Sequence, residues 1–335
     1  VTGVQTCALP ICLGLMRICF LFNHDQIHQV AHSLPIAMAL AESGFGGEII
    51  VATTNARMAQ EVRRLGGDLV GTRIEHVELR PSAGTRRFDR VLGKLVPAAK
   101  ILIYQDNLEF FRSLDILVVA EKTSLLLKTR YHLDNLAIVH TRHGAGDRAI
   151  GFDKASAGFD HVLCSGPKIR ERLIAEAGLP PEKISIVGYP KFDLAASAPA
   201  HRFLPTVGTS VIYNPHPAPH LSSWYRHGHA LLDHFVDSAD HGVIFAPHVM
   251  LFERRFVITI DKLSIDRPGE IPERFLRGAN FKIDLGSRAS TDMTYTMAAD
   301  VYLGDASSQV YEFLLRPRPC IFVNSQNHAW EDDPN

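Results

Sequence analysis

Short apolar runs rich in Ile, Val and Leu alternate along the chain with longer stretches in which apolar residues recur at helical spacing. The first pair is a strand-like run over residues 16–22 and a helical stretch over 27–42 that ends before Gly44. Continuous apolar strands separated by amphipathic helices are typical of parallel sheets covered on both faces. The first half of the chain is therefore predicted to be α/β, with strands over 16–22, 48–52, 77–79, 101–103, 116–119, 137–140, 161–164 and 184–187.

The composition changes over residues 195–208, where the sequence AASAPAHRFLPTVG is typical of a linker. Beyond it the alternation restarts and predicts strands over 210–213, 242–246, 280–283, 301–304 and 319–323. We therefore predict two Rossmann-like domains, over residues 16–197 and 208–335, whose parallel sheets face each other across a cleft.

The two ends of the chain differ from these domains. Residues 1–15, VTGVQTCALPICLGL, lack the basic start of a signal peptide, and Pro10 interrupts their apolar run. They resemble a translated sequencing adapter, so we expect a non-native leader outside the fold. At the other end HAWEDDPN closes no element, and we expect the second domain to be truncated.

The charge balance and the missing motifs exclude several classes of function. The chain has 35 Lys and Arg against 36 Asp and Glu, a net charge of -1, so we expect no nucleic-acid partner. The five cysteines are odd in number and widely spaced, as in a protein of a reducing compartment. The predicted location is the cytoplasm, with peripheral contact at the inner membrane face left open. No GxGxxG follows the first strand and no GxxxxGK(S/T) occurs, which disfavours dinucleotide oxidoreduction and P-loop hydrolysis.

The segment LGDASSQVYEFL, residues 303–314, carries the strongest local signal. A predicted strand runs into Asp305, and Ser307 and Ser308 begin a helix, so hydroxyls and free backbone N–H groups meet at one helix start. Such a start suits a phosphate or diphosphate, and Glu312, one turn after Ser308, is placed to accept hydrogen bonds from ribose hydroxyls. An ordinary helix cap formed by the same side chains is an equally good interpretation.

A second signal follows the predicted strand over 137–140, where the sequence is TRHGAGDR. Ligands of open α/β sheets bind at the carboxyl ends of strands, and the glycines would let a substrate approach the backbone. Arg142 and Arg148 suit phosphate, and His143 suits a general base because imidazole titrates near neutral pH. The alternative is a plain turn whose histidine hydrogen-bonds its neighbours.

Four motifs, in the order in which they occur, resemble the CDP-glycerol glycerophosphotransferase family of teichoic-acid and capsule synthesis. They are a His-Gly after a mid-chain strand, G-Y-P-(R/K)-x-D, a strand that ends in a Pro-adjacent histidine, and D-Y-S-S-x-x-x-(D/E) with a trailing (R/K)-P-x-(I/C)-F. In this chain the four motifs lie at residues 143–144, 188–193, 245–248 and 305–312, and the trailing segment of the fourth lies at residues 318–322. The tyrosine of the last motif is Ala306 here, so the identity of the donor and of the acceptor stays open.

The resemblance implies a GT-B-type fold and transfer of a glycerophosphate-like group from a CDP-glycerol-like nucleotide-diphosphate donor. The implied acceptor is a hydroxyl of a lipid-linked or glycan molecule of the cell envelope. In the implied mechanism His143 takes the proton of that hydroxyl, whose oxygen attacks the distal phosphorus while the nucleoside monophosphate leaves. His248, Ser307 and Ser308 would stabilise charge on the diphosphate, and no metal or other cofactor is required.

Seventeen histidines invite a metal-site interpretation, above all His24, His28 and His32, whose spacing of four would align them on one helix face. No HExxH motif accompanies them, so no metal site is predicted. His24 and His28 follow the first strand, where we predict contacts with the acceptor. His216 follows the first strand of the second domain, where we predict contact with the donor.

Two other functions stay open from the sequence. A nucleotide-sugar glycosyltransferase or a UDP-sugar 2-epimerase would share the same architecture. A non-catalytic nucleotide-sugar-binding module would need Ser307 and Ser308 but not His143.

Overall fold

The computed structural model of the protein describes residues 15–23, 27–82, 84–85, 98–142, 146, 152–195, 202–204, 208–253, 255–259, 264–327, 329 and 331. These residues form two compact units. The first comprises the residues up to Arg142 together with Phe152–Val187, and the second comprises Gly146 and the residues from Gly188 onward. Residues 188–195, which precede the predicted linker, therefore group with the second unit.

The first unit is built on one seven-stranded sheet in which every neighbouring pair is parallel. The strand order is β3-β2-β1-β4-β5-β6-β7. The strands are β1 (Arg17–Phe22), β2 (Glu48–Thr53), β3 (Glu75–Glu78), β4 (Ile116–Val119), β5 (Ala137–His140), β6 (His161–Cys164) and β7 (Ile184–Ile186).

Helices cover both faces of this sheet, as the continuous apolar strands predict. Along β1 the side chains alternate between two apolar clusters, with Cys19 and Leu21 in one and Ile18, Phe20 and Phe22 in the other. The helices of this unit are α1 (Leu34–Glu42), α2 (Ala56–Gly66), α3 (Ala98–Asp106), α4 (Leu108–Arg112), α5 (Leu126–Thr129) and α6 (Pro167–Ala175).

The predicted helix over 27–42 forms as two segments. Residues Ile27–His32 are a 3₁₀ helix, and α1 begins at Leu34 after a break at Ser33. Pro35 lies at the start of α1, where its missing N–H would have no helical partner in any case.

One predicted strand of the first unit is wrong. Residues 101–103 lie inside α3, where Ile103 and the adjacent Tyr104 are buried. A run of three apolar residues is too short to distinguish the period of a strand from that of a helix, and here the helix forms.

The second unit contains a five-stranded parallel sheet of order β12-β9-β8-β13-β14. Its strands are β8 (Thr209–Asn214), β9 (His241–Phe245), β12 (Phe281–Ile283), β13 (Val301–Gly304) and β14 (Cys320–Phe322). All five strands predicted beyond the linker are thus present. A separate antiparallel pair, β10 (Val257–Thr259) and β11 (Ser264–Asp266), was not predicted.

The second sheet is also covered on both faces by apolar clusters. Its helices are α7 (Lys191–Ala195), α8 (Trp224–Asp233), α9 (Glu273–Arg277), α10 (Thr294–Ala298) and α11 (Ser308–Phe313). The two parallel sheets confirm the predicted α/β fold class. Within the described ranges, no helix combines the length and the apolar character needed to span a membrane.

Candidate functional site

The strand order of the second sheet creates a crevice between β8 and β13. The chain leaves β8 toward β9 on one side and leaves β13 toward β14 on the other side, although β8 and β13 are neighbours. The loops after these two strands therefore diverge, and such a switch point at the carboxyl ends of parallel strands is where open α/β sheets bind ligands. The loop after β8 carries His216, and the loop after β13 carries the predicted donor-binding residues Asp305, Ser307 and Ser308.

The ends of β8 and β13 approach each other so closely that only glycine fits on one side. Gly304 is paired in register with Asn214 and has a φ of 149°. A Cβ atom on Gly304 would lie 2.7 Å from the carbonyl oxygen of Asn214. The crevice therefore begins where two backbones are in direct contact.

Asp305 holds the loop after β8 in place. Its carboxylate, which is buried, accepts the N–H of His216 at 2.8 Å and the N–H of Ser223 at 2.9 Å. Burial raises the pKa of Asp305, and these N–H donors oppose that rise because they stabilise the charged carboxylate. Asp305 thus fixes the main chain on both sides of the segment between His216 and Ser223.

Two residues that the sequence analysis did not single out complete this frame. The Asn214 side chain donates to the carbonyl of Ala246 and so links the end of β8 to the end of β9. The Tyr302 hydroxyl donates to the carbonyl of Asp305 at 2.9 Å, and burial raises the pKa of that phenol. The polar Asn214 at the end of an apolar strand is the one signal in the sequence that could have marked this frame.

Ser307 is the N-cap of α11. Its Oγ accepts the N–H of Gln309 at 3.3 Å and lies 3.5 Å from Oδ1 of Asn214. Ser308 is the first residue of α11 and is half-buried. The capping alternative is therefore realised at Ser307, and the role of the two serines in donor binding stays a prediction.

His216 and His248 follow two neighbouring strands, and their rings lie 6.2 Å apart. The Nδ1 of His216 accepts the N–H of Ala218 at 3.0 Å, and the Nδ1 of His248 accepts the N–H of Met250 at 3.3 Å. A neutral imidazole whose Nδ1 accepts a hydrogen bond carries its proton on Nε2. Both rings are therefore Nε2–H donors in their neutral form, which suits an anionic oxygen better than a metal ion.

The carboxylate of Glu312 is engaged by two residues of the Gly188–Asp193 motif. Lys191 donates from Nζ to Oε1 of Glu312 at 2.6 Å, and the Tyr189 hydroxyl donates to the same oxygen at 3.4 Å. Burial and the Glu312 charge raise the pKa of Tyr189 well above its usual value. The predicted contact between Glu312 and a ribose stays untested, and the ion pair is a finding that the motif spacing did not predict.

The described site residues of the first unit lie at its carboxyl edge. Arg142 follows β5 with a φ of 45°, and its guanidinium lies 4.1 Å from the ring centroid of Phe152. Arg172 lies 4.2 Å from the same centroid, and burial together with this second charge lowers the pKa of Arg142. His28 belongs to the 3₁₀ helix after β1, with its ring 6.1 Å from that of His32.

Three predicted site residues lie outside the described part of the chain, namely His24, His143 and Arg148. The acceptor and phosphate contacts expected of Arg142 and His28 likewise stay predictions. Within the described ranges, no group of three or more His, Cys, Asp or Glu side chains is placed to hold a metal ion.

Comparison with solved structures shows the fold. The Methanocaldococcus jannaschii UDP-GlcNAc 2-epimerase, in complex with UDP-GlcNAc and UDP, matches at a TM-score of 0.55 and 16% identity over 92% of this chain and 83% of that one. The wall teichoic acid polymerase TagF matches at a TM-score of 0.53 and 15% identity over 92% and 69%. The fold is GT-B-like.

A Listeria monocytogenes protein assigned as a UDP-N-acetylglucosamine 2-epimerase has the same GT-B-like fold. It matches at a TM-score of 0.57 and 12% identity over 92% of this chain and 79% of that one. No protein-family profile and no curated protein matches the chain. At these identities the likeness establishes the architecture, and the function has to be argued from the residues.

Proposed function

We propose that the protein is a GT-B-type transferase that uses a nucleotide-diphosphate donor, and that the donor diphosphate binds in the crevice between β8 and β13. The observation that carries this proposal is the set of loops that Asp305 and Asn214 hold at the switch point. Ligands of open α/β sheets bind at such points, and these loops carry hydrogen-bond donors of the kind that a diphosphate needs.

The proposed donor contacts follow from the chemistry of the loops. A diphosphate presents several anionic oxygens, so its site needs several N–H or O–H donors in fixed positions. His216 and His248 supply imidazole N–H groups, and Ser307 and Ser308 supply hydroxyls. Because the loop main chain is fixed by Asp305 before any ligand binds, little reorganisation is needed in the transition state.

The four motifs support a narrower assignment, transfer of a glycerophosphate-like group from a CDP-glycerol-like donor to a hydroxyl of an envelope polymer acceptor. In that reaction the acceptor oxygen forms a bond to the distal phosphorus, and the bond from that phosphorus to the nucleoside monophosphate breaks. His143 would take the hydroxyl proton, with Arg142, Arg148, His24 and His28 near the acceptor or its phosphates.

A second candidate is a nucleotide-sugar 2-epimerase or glycosyltransferase. The fold fits this candidate as well as the first, since structures assigned as 2-epimerases match at TM-scores of 0.57 and 0.55 and a TagF structure also matches at 0.55. The same crevice would then hold the diphosphate of a UDP-sugar.

Phosphorus NMR of the protein with each donor separates these functions. CDP-glycerol with a polyol acceptor should yield CMP, and this yield should vanish in His143→Ala while donor binding persists. A new UDP-sugar signal from UDP-GlcNAc, or release of UDP when a sugar acceptor is present, with no CMP from CDP-glycerol, would establish the second candidate instead. Saturable binding without any conversion would identify a binding module, and the lack of binding to either donor would contradict the proposal.

A further inference from the structure

A buried ion pair joins two of the four motifs, those at residues 188–193 and 305–312. Lys191 and Glu312 are 121 residues apart in sequence, yet their Nζ and Oε1 atoms are 2.6 Å apart and each side chain is only 5% exposed. The other ion pairs of the described residues are more exposed, for instance Lys128–Asp160 at 20% and 40%. This pair is therefore unusual within the described part of the chain.

The lysine side of the pair is shaped by a tight turn. Gly188 has a φ of 78°, which favours glycine, and the carbonyl of Tyr189 accepts the N–H of Phe192 at 3.0 Å. The turn places the Tyr189 hydroxyl and the Lys191 ammonium on the same oxygen of Glu312. Two donors on one acceptor define the position of that carboxylate closely.

The glutamate side of the pair lies on the short helix of the proposed donor site. Glu312 is one turn after Ser308 in α11, and Phe313 beside it is fully buried against Tyr302. An apolar pair of similar volume would hold α11 against the unit at least as well, because burying two charges carries a large desolvation cost. What an ion pair adds is a penalty for any other position of the helix, since moving α11 away from Lys191 would leave two buried charges unpaired.

We propose that Lys191 and Tyr189 are positioning residues for the donor, which hold Glu312 and through it the segment that carries Ser307 and Ser308. This inference rests on the proposed function. It gives Glu312 a role different from ribose contact, because Oε1 of its carboxylate is held by Lys191 and Tyr189. It also gives the Gly188–Asp193 motif a task in donor binding that its sequence alone does not indicate.

The test compares Lys191→Met with Lys128→Met, which breaks a lysine–carboxylate ion pair in the other unit. Amide hydrogen exchange at residues 308–314 is measured without ligand, and the dissociation constants for CDP-glycerol and UDP-GlcNAc are measured by calorimetry. We expect Lys191→Met to speed exchange in this segment and to raise the donor Kd by about tenfold to 10²-fold, as a small misplacement of a site does. Lys128→Met should change neither, and Lys191→Arg should recover part of the affinity.

A further variant separates positioning from folding. Lys191→Met with Glu312→Gln removes both charges, so it should recover most of the thermal stability that Lys191→Met loses. The donor Kd should stay raised, because the pairing that fixes the position of α11 is still missing. Recovery of stability and affinity together would overturn the positioning role and leave the pair a part of the fold only.

Other outcomes are also decisive. Unchanged exchange at 308–314 in Lys191→Met overturns the positioning role whether or not the wild type binds a donor. Normal donor affinity in Lys191→Met, with Glu312→Gln weakened for the ribose donor but not for its 2′-deoxy analogue, would assign Glu312 to ribose contact instead. If the wild type binds neither donor, the proposed function fails and the donor part of this inference fails with it, while the exchange data still report on the helix.

Discussion

In both sheets, aspartates at the amino ends of strands accept hydrogen bonds from the neighbouring strand. Only in the second sheet do aspartates also directly follow strands. Asp115 and Asp160 in the first unit, and Asp300 in the second, each precede a strand and accept an N–H of the neighbouring strand. In the second unit Asp284 and Asp305 directly follow β12 and β13, and both accept N–H groups of loops at the carboxyl edge.

The switch point of the first unit carries hydrogen bonds between side chains. Its sheet has its own switch point between β1 and β4. There the hydroxyl of Thr54 donates to Asn23 at 3.2 Å, and the hydroxyls of Tyr104 and Thr123 lie 3.3 Å apart. A carboxylate that accepts main-chain N–H groups fixes the conformation of a loop. A hydrogen bond between two side chains does not restrain the main chain in this way. The comparison therefore favours the second unit as the one whose loops are shaped in advance for a ligand.

The largest effect is expected at Gly304, where the backbones of β13 and β8 are in close contact beside the crevice of the second unit. Gly304→Ala would place a Cβ 2.7 Å from the Asn214 carbonyl oxygen at a φ of 149°. We expect a loss of about 2–4 kcal/mol in the free energy of unfolding, measured by urea denaturation. Gly46→Ala in the first unit meets no atom within 4 Å and should change this free energy by less than about 0.5 kcal/mol. Equal losses in the two variants would show that the contact at Gly304 is relaxed easily.

The second prediction compares an aspartate that follows a strand in the second unit with one that precedes a strand in the first unit. Asp305→Ala leaves the N–H groups of His216 and Ser223 without their acceptor in a buried loop, and should cost about 2–3 kcal/mol of unfolding free energy. Asp115→Ala removes the acceptor of the Arg17 N–H at an exposed position, where water replaces it, and should cost less than about 1 kcal/mol. Similar costs by chemical denaturation would show that Asp305 does not hold its loop more firmly than an exposed aspartate at the start of a strand does.

The smallest effect is a pH dependence at Asp284. Burial alone would raise the pKa of this carboxyl, but hydrogen bonds from Ser287, Tyr295 and Gly286 outweigh it and lower the pKa to about 2. Because the folded pKa lies below the unfolded value of 3.8, the stabilisation is present above about pH 4 and is lost as the pH falls through about 2.

Urea unfolding at pH 5 and at pH 2.5 checks this dependence. The stability difference between the wild type and Asp284→Asn should shrink at the lower pH, because the carboxyl of the unfolded chain, with a pKa of 3.8, is protonated there while the folded carboxylate is still mostly ionised. A difference that is the same at both pH values would mean that Asp284 does not hold its loop through its charge.

The strands were predictable because their signal is local. The runs ICFLF over 18–22 and VYL over 301–303 contain no charged residue, as expected of strands buried on both faces. The signal failed where a segment is short, at 101–103, which is part of α3, and at the antiparallel pair β10 and β11, whose strands have three residues each. Sequence periodicity needs more residues than these segments provide.

The site was predictable only in part, because its contacts cross the chain. The strand-end rule placed His216 and Asp305 at one edge without any knowledge of the fold. The Asp305 carboxylate accepts the N–H of Ser223, which lies 82 residues earlier in the sequence. This contact depends on β8 and β13 being neighbours in the sheet. The partner of Glu312 likewise comes from a turn far away in sequence, so the spacing of Ser308 and Glu312 could not reveal that the carboxylate is already paired.

The most direct test of the donor crevice is calorimetry of nucleotide-diphosphate donors with Ser307→Ala/Ser308→Ala. Each hydrogen bond to a charged oxygen is worth about 1.5–3 kcal/mol, so the double variant should raise the donor Kd by about 10²-fold or more. Its thermal stability should fall by no more than the loss of a helix cap, about 0.5–2 kcal/mol. Asn55→Ala, which removes the cap of α2 in the first unit, should cost similar stability and leave the donor Kd unchanged. A donor Kd untouched in the double serine variant would show that the serines only cap α11 and that the donor binds elsewhere.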